Sequence, residues 1–248
     1  MFTVAHREHI RTDLITRAQR DPRIVAAAVV GSSAVGGDRW SDLDLTFAVD
    51  LDHSLTSVIA DWSSVMTTAY SAAVLFDINA GSTIYRVFLL PGALQIDLSF
   101  GPAGEWGAYG PHFHLLYGEA VTRPAPLPVP TAHHLGYAIH HLVRAHICIA
   151  RGRFWQAEHW LSEAREIAMT LACREAGLDE AYGRGFDQLP ADAQDRYRTM
   201  LPTTLTSSEL QRALILTTHA VLDDADQQIE TTPALRSLLA PILSGVAE

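Results

Sequence analysis

The sequence predicts an α+β protein, in which an N-terminal α/β domain with a mixed sheet precedes a C-terminal helical bundle. Three observations support this prediction. Short apolar runs with strand-like alternation occur in residues 1–123, four prolines crowd residues 124–130, and apolar residues recur at helical spacing through residues 131–248. We therefore expect two domains, joined by a semi-rigid proline-rich linker.

The N-terminal half combines helices with strands of two kinds. Residues 4–20 place apolar side chains at helical spacing, and residues 23–30, "RIVAAAVV", are typical of a strand buried on both faces. Residues 42–50, "DLDLTFAVD", alternate, so their apolar side chains share one face and their acids share the other. The further predicted elements are a helix at 54–70, strands at 73–78, 82–90 and 93–100, and a candidate strand in "FHLLYGEAV".

The C-terminal half is almost wholly helical in its pattern. The prolines of residues 124–130 exclude a helix there and disfavour an inner strand, which is why this stretch marks the boundary. Helices are expected at 131–150, 153–176, 191–200, 206–227 and 233–244.

Composition limits the classes of partner. The net charge of -10 argues against a nucleic-acid scaffold and suits a cationic partner, a metal-bound partner or simply a soluble surface. No apolar stretch reaches ~18 residues and the N-terminus lacks an apolar signal core, so we expect no membrane association and a cytoplasmic location. Cys148 and Cys173 lie in apolar helical patterns and are expected to be core thiols. The oligomeric state stays open.

A short motif in the first half indicates phosphate chemistry. The strand at 23–30 ends at Gly31 and Ser32, where backbone N–H groups at the start of a turn or short helix can hold a phosphate. Glycine allows close approach of a ligand, and the serine hydroxyl adds a donor. The stretch lacks the lysine of a Walker loop, the second glycine of a dinucleotide loop and the last glycine of a nucleophile elbow.

Acidic residues follow this turn. Nine residues separate Ser32 from Asp42, and Asp42 and Asp44 lie two apart on a predicted strand, so their carboxylates project side by side. Adjacent carboxylates repel each other unless a cation lies between them, and Mg²⁺ also binds phosphate oxygens. Asp97 has the same polar position in "LQIDLSF", and it joins the pair if that strand lies beside 42–50. Each aspartate alone could be an ordinary turn or strand residue; together they favour a site for two Mg²⁺ ions.

The motif "GS", nine residues, "DLD" and a later strand-borne aspartate resembles that of the nucleotidyltransferase superfamily related to DNA polymerase β. The layout of the chain resembles small bacterial enzymes of the aminoglycoside-nucleotidyltransferase type, which carry an α/β catalytic domain followed by a helical bundle. By motif the resemblance covers about residues 20–120, and the rest of the chain resembles the family only in architecture.

The resemblance implies roles for the motif residues and for the two halves. Gly31 and Ser32 would contact a nucleoside triphosphate, and Asp42, Asp44 and Asp97 would bind Mg²⁺. The first half would be the catalytic domain, and the helical half would bind the substrate.

The expected reaction is transfer of AMP from ATP to a hydroxyl of a small molecule, with release of pyrophosphate. An aminoglycoside-like antibiotic is the expected acceptor, because an acidic cleft attracts cationic sugars. One alternative is transfer to a protein, as in toxin–antitoxin modules. Another is an inactive relative that only binds a nucleotide.

A second group of candidates includes residues on the predicted helix at 153–176. A carboxylate that accepts a proton assists transfer to a hydroxyl, and we expect Glu158 to be this base, with Glu163 as the second choice. Arg165 and Arg39 are candidates for nucleotide binding through phosphate contacts. The alternatives are that Glu158 and Arg165 form an ordinary solvated helix pair and that Arg39 is simply exposed.

Overall fold

A computed structural model describes residues 1–35, 37–110, 112–124, 127–226 and 232–244. The chain divides into two compact units, Met1–Leu127 and Pro128–Glu248. The first unit carries helices and a mixed sheet and the second is helical, so the predicted α+β fold is confirmed. Residues 125 and 126 of the predicted linker lie outside the described residues.

The first unit contains the elements that the sequence predicts, with ends that shift by one or two residues for most of them. The last strand is shorter than the predicted segment "FHLLYGEAV". The helices and strands of the first unit are α1 (Val4–Arg20), β1 (Ile24–Val30), β2 (Leu43–Val49), α2 (Leu55–Tyr70), β3 (Ala73–Ala80), β4 (Thr83–Leu90), β5 (Leu94–Pro102) and β6 (Phe113–Tyr117).

These strands form one six-stranded sheet within the described residues, in the order β3-β4-β5-β2-β1-β6. β2 and β5 pair in parallel, and the other neighbours pair antiparallel. The chain between β2 and β5 contains α2 and the hairpin of β3 and β4, which is long enough for the crossover that a parallel pair requires.

The sheet separates an apolar face from a face that carries acids. Leu45, Phe47 and Leu98 are fully buried and pack with α1 and α2 in the main core of this unit. Because side chains alternate along a strand, Asp44 and Asp97 lie on the opposite face. This alternation was predicted from the sequence, and it leaves the acids outside the main core.

The second unit contains six α-helices within the described residues. The predicted helix at 206–227 ends at Asp226, and residue 227 lies outside the described residues. The helices are α3 (Thr131–Ala150), α4 (Phe154–Glu175), α5 (Ala191–Thr199), α6 (Ser207–Asp226), α7 (Thr232–Leu238) and α8 (Ala240–Leu243).

The single helix predicted at 233–244 is wrong, because α7 and α8 are separate and meet at Leu239. Pro241 lies in the first turn of α8. Proline has no N–H to donate to the preceding turn, and its ring crowds that turn, so a continuous helix is interrupted there.

The core of the second unit lies between α3, α4 and α6. Ala157, Leu161 and Ala164 of α4 are fully buried, as their spacing predicts, and the small alanines let neighbouring helices approach closely. Cys148 and Cys173 are buried free thiols in this part of the structure. Among the described helices, none has the length and apolar character needed to cross a membrane.

Candidate functional site

Two of the predicted acids are neighbours across the parallel strand pair. Asp44 of β2 is in register with Asp97 of β5, so both side chains project from one face of adjacent strands. Such strands lie about 4.8 Å apart. The condition under which Asp97 joins the pair, that its strand lies beside that of Asp44, is therefore met. Asp42 stands one residue before β2, and its carboxylate acts electrostatically on Asp97.

Burial and a neighbouring acid raise the cost of ionising Asp97. Desolvation raises the pKa of the Asp97 carboxyl, and the negative charge of Asp42 raises it further. Gln95 Nε2 donates a 3.1 Å hydrogen bond to Asp97 Oδ1, which opposes this rise. A half-buried group of carboxylates of this kind is the environment that a bound cation would stabilise.

Gly31 brings the backbone directly against Asp44. Its φ of +65° lies in the left-handed region, and an added Cβ would overlap Asp44 Oδ2. Glycine therefore satisfies both the turn that ends β1 and the close approach to the carboxylate. The expected outward N–H of Gly31 is not free, because it donates a 3.2 Å hydrogen bond to the His112 carbonyl just before β6.

The two serines after Gly31 have different surroundings. They belong to a short 3-10 turn, Gly31–Val35. Ser32 is exposed, whereas the Ser33 hydroxyl donates a 2.9 Å hydrogen bond to the Asp42 carbonyl. Ser33 thus ties the turn to the acidic segment. Sequence reasoning missed this role, since no local pattern indicates a bond between residues nine positions apart.

Arg7 of α1 supports the loop between the two halves of the motif, and sequence reasoning missed it as well. Its side chain is buried, and Nη1 donates to the carbonyls of Asp38 and Ser41 at 2.7 and 2.8 Å. The spacing of the helix could have indicated that Arg7 is buried, because Arg7 lies on the same helical stripe as the buried residues Ile10 and Leu14.

Arg39 lies in the same loop but does not reach into the core. It is exposed, and its guanidinium lies 4.1 Å from the ring centroid of Trp40. Trp106, in the loop after β5, is buried and donates a 2.9 Å hydrogen bond from Nε1 to Thr46 Oγ1. Trp106 therefore packs against the acidic face as a structural residue.

The donor set suits Mg²⁺ in its chemistry, because carboxylate oxygens are the ligands that this ion prefers. Within the described residues, however, no group of three or more His, Cys, Asp or Glu side chains is arranged so that it could hold a metal ion. The register brings Asp44 and Asp97 together with Asp42 nearby, and a shared ion would require their side chains to turn towards it.

Glu158 and Arg165 form an ion pair within the helical unit. Arg165 is buried; its Nη2 lies 3.2 Å from Glu158 Oε1, and its Nη1 donates to the Met200 carbonyl at 3.4 Å. Glu158 Oε2 is buried and has no hydrogen-bond partner among the described residues. The pair is therefore largely buried, unlike the solvated pair considered as an alternative. Glu163 is half-buried and acts electrostatically on His141.

Comparison with known proteins gives little further information. No protein-family model matches the chain, and no curated protein sequence matches it. Among solved structures, it is similar to the crystal structure of an aminoglycoside 6-adenyltransferase from Bacillus subtilis, with 11% sequence identity and a TM-score of 0.37 over 98% of this chain and 99% of that one. A likeness this distant transfers no activity and no residue role.

Proposed function

We propose that this protein is a Mg²⁺-dependent nucleotidyltransferase that moves AMP from ATP to a hydroxyl of a small molecule and releases pyrophosphate. The observation that carries the proposal is the register of Asp44 with Asp97, next to Asp42 and against the backbone of Gly31. This places the acids of the "DLD" segment and the later strand beside the glycine-serine turn.

The residues of this site would divide the work. Asp42, Asp44 and Asp97 would hold Mg²⁺, which when bound supplies positive charge to the phosphoryl oxygens. The exposed Ser32 hydroxyl would donate to a phosphate oxygen, and Gly31 would keep the space beside Asp44 clear. Exposed Arg39 would contribute a further phosphate contact.

Glu158 is proposed to accept the proton of the acceptor hydroxyl. Arg165 binds its Oε1, and its buried Oε2 has no partner among the described residues, so Oε2 would accept the proton once the side chain is exposed to the acceptor. Arg165 would then act as a positioning residue instead of a direct nucleotide contact, because both terminal nitrogens already donate within its own unit.

The acceptor is proposed to be a small molecule with cationic character, such as an aminoglycoside-like antibiotic. The net charge of -10 favours the approach of cations over that of polyanions. Nucleic acid is a poor acceptor for the same reason.

The test is incubation of the full chain with labelled ATP, Mg²⁺ and a panel of aminoglycosides and lincosamides, followed by mass spectrometry. We expect one compound to gain one AMP. Asp44→Asn and Asp97→Asn should each lower transfer by at least about 100-fold, since a metal supplies several kcal/mol of charge stabilisation. The matched control is Asp52→Asn, which removes an exposed acid after β2.

Other results would change the proposal. Near-normal transfer by Asp44→Asn would overturn the metal assignment. ATP binding without any adduct would favour the inactive relative, and labelling of a protein in place of the small molecules would favour a protein acceptor.

A further inference from the structure

We infer that apolar residues of β3 and β4, on the same sheet face as the acids, form a platform that binds an apolar part of the acceptor. We call this surface the apolar platform and define it by Phe76, Ile78, Tyr85, Val87 and Leu89. The inference rests on the proposed function and names the substrate class that the site would select.

The register of the sheet aligns the apolar platform with the acids. One row of residues in register crosses four strands: Asp44 of β2, Asp97 of β5, Val87 of β4 and Phe76 of β3. Residues in register on neighbouring strands project from the same face. The next row, two residues further along, comprises Thr46, Ser99, Tyr85 and Ile78.

The outer part of the platform is exposed. Phe76 and Ile78 are each 52% exposed and Leu89 is 40% exposed, whereas Val87 between Phe76 and Asp97 is buried. Two strand spacings separate Phe76 from Asp97, which is about 10 Å. Neighbouring exposed apolar side chains beside a polar site are typical of a ligand surface.

The geometry of the proposed transfer indicates that the acceptor is the molecule that lies over the apolar platform. In an in-line displacement the entering and leaving oxygens lie on opposite sides of the phosphorus atom. Gly31 and Ser32 follow β1, on one side of the acid-bearing strands, and β4 and β3 lie on the other side. If pyrophosphate leaves beside Ser32, the acceptor approaches from β4 and β3. Its hydroxyl then meets the acids while its remainder lies over Phe76.

The platform therefore favours an acceptor of a particular class. Such an acceptor carries an alkyl or ring hydrocarbon group several bonds from the reacting hydroxyl. Among the cationic small molecules of the proposed function, the platform therefore favours a lincosamide-like compound over a fully polar aminoglycoside. A polar rim borders the Tyr85 side, where the Arg123 guanidinium lies 4.1 Å from the ring centroid of Tyr109. Both groups act electrostatically on Tyr85.

The test compares Phe76→Ala with Val74→Ala. Val74 is 42% exposed on the same strand, but it pairs with Phe88 of the main core and so lies on the opposite face. With saturating Mg²⁺ and ATP, Phe76→Ala should raise KM for lincomycin, which carries an alkyl-substituted ring, by at least about tenfold, because an aromatic contact is lost. Its kcat and its KM for ATP should change by less than about twofold. Val74→Ala should behave like the unchanged protein.

Equal effects of the two substitutions, or transfer to kanamycin but not to lincomycin, would overturn the inference while leaving the proposed transfer intact. If neither compound reacts, two binding measurements separate the claims. If the unchanged protein binds ATP in the presence of Mg²⁺ and Asp44→Asn does not, the result supports a nucleotide site. If the unchanged protein shows no Mg²⁺-dependent ATP binding, the proposed function is overturned. A shift of the Ile78 methyl resonance on adding lincomycin supports the platform, and no shift overturns it.

Discussion

Gly31 shows how a single residue can shape the acidic site. Its left-handed φ ends β1, and its missing side chain leaves room for Asp44. Gly81 has almost the same φ, +63°, but an added Cβ there would meet nothing within 4 Å. The two glycines therefore separate the cost of backbone strain from the cost of displacing a carboxylate.

We expect Gly31→Ala to destabilise the protein more than Gly81→Ala does. Both substitutions incur left-handed strain of about 1–2 kcal/mol, and only Gly31→Ala also forces Asp44 to move. Nucleotidyl transfer should fall in Gly31→Ala and persist in Gly81→Ala. Denaturant unfolding and the transfer assay measure the two effects, and identical behaviour of the variants would contradict the role of Gly31.

Alanine substitutions of Ser32 and Ser33 should affect different properties, ATP binding for Ser32 and folding stability for Ser33. Ser32→Ala should weaken ATP binding by roughly 1.5–3 kcal/mol, the value of a hydroxyl donor to an ionised oxygen, with little effect on Tm because Ser32 is exposed. Ser33→Ala should instead lower stability by about 1 kcal/mol, since it removes the bond to the Asp42 carbonyl. Calorimetry with ATP and thermal unfolding measure the two effects. Unchanged ATP affinity in Ser32→Ala would remove that contact from the proposal.

Glu158→Gln should lower kcat by ~10²–10⁴, the usual contribution of a positioned base, while ATP affinity changes little. Glutamine keeps an acceptor for Arg165, so the fold should survive. Glu163→Gln is the matched control on the same helix and should leave kcat unchanged. A fall in Tm without a fall in kcat for Glu158→Gln would show that the pair with Arg165 is only structural.

At the scale of elements, Asp21 links α1, β1 and α2. It ends α1, and its carboxylate accepts a 2.9 Å hydrogen bond from Arg23 Nε beside β1 and a 3.1 Å bond from Trp62 Nε1 of α2. The hydrogen bonds from Arg23, the largest cause, hold the pKa of Asp21 below its usual range. Ionised Asp21 therefore stabilises the packing of α1 and α2 on the sheet.

The sign of this shift predicts a pH dependence. A carboxyl whose folded pKa is lowered contributes stability above its unfolded pKa, and that contribution is lost as the pH falls through the folded pKa. Asp21→Asn should therefore reduce the free energy of unfolding at pH 7, and the difference should shrink below about pH 4. Urea unfolding at several pH values measures this. The matched control is Asp52→Asn, which removes an exposed acid elsewhere in the same unit.

At the scale of the whole molecule, each unit has its own hydrophobic core. The core around Phe47 draws on residues of the first unit, and the core around Leu214 draws on residues of the second. We expect calorimetry to resolve two transitions. Phe47→Ala and Leu214→Ala should each lower a different one, with losses of about 3–5 and 2–5 kcal/mol. One transition lowered equally by both variants would contradict separate cores.

Much of this fold could be predicted from local signals. The alternation of "DLDLTFAVD" and "LQIDLSF" assigned each aspartate to the face opposite the core, because strand side chains alternate irrespective of which strand pairs with which. The seam of Ala157, Leu161 and Ala164 predicted the buried face of α4 for the same reason, since helical periodicity is a property of a single segment.

The sequence by itself thus determined the α+β class, the order of most elements and the set of acids worth testing. Only the tertiary structure decided that Asp44 and Asp97 are in register, that Ser33 binds the Asp42 carbonyl and that Arg7 supports the motif loop. It also aligned Phe76 with the acids across the sheet. These features join residues far apart in the chain, and periodicity within one segment carries no information on which other segment will lie beside it.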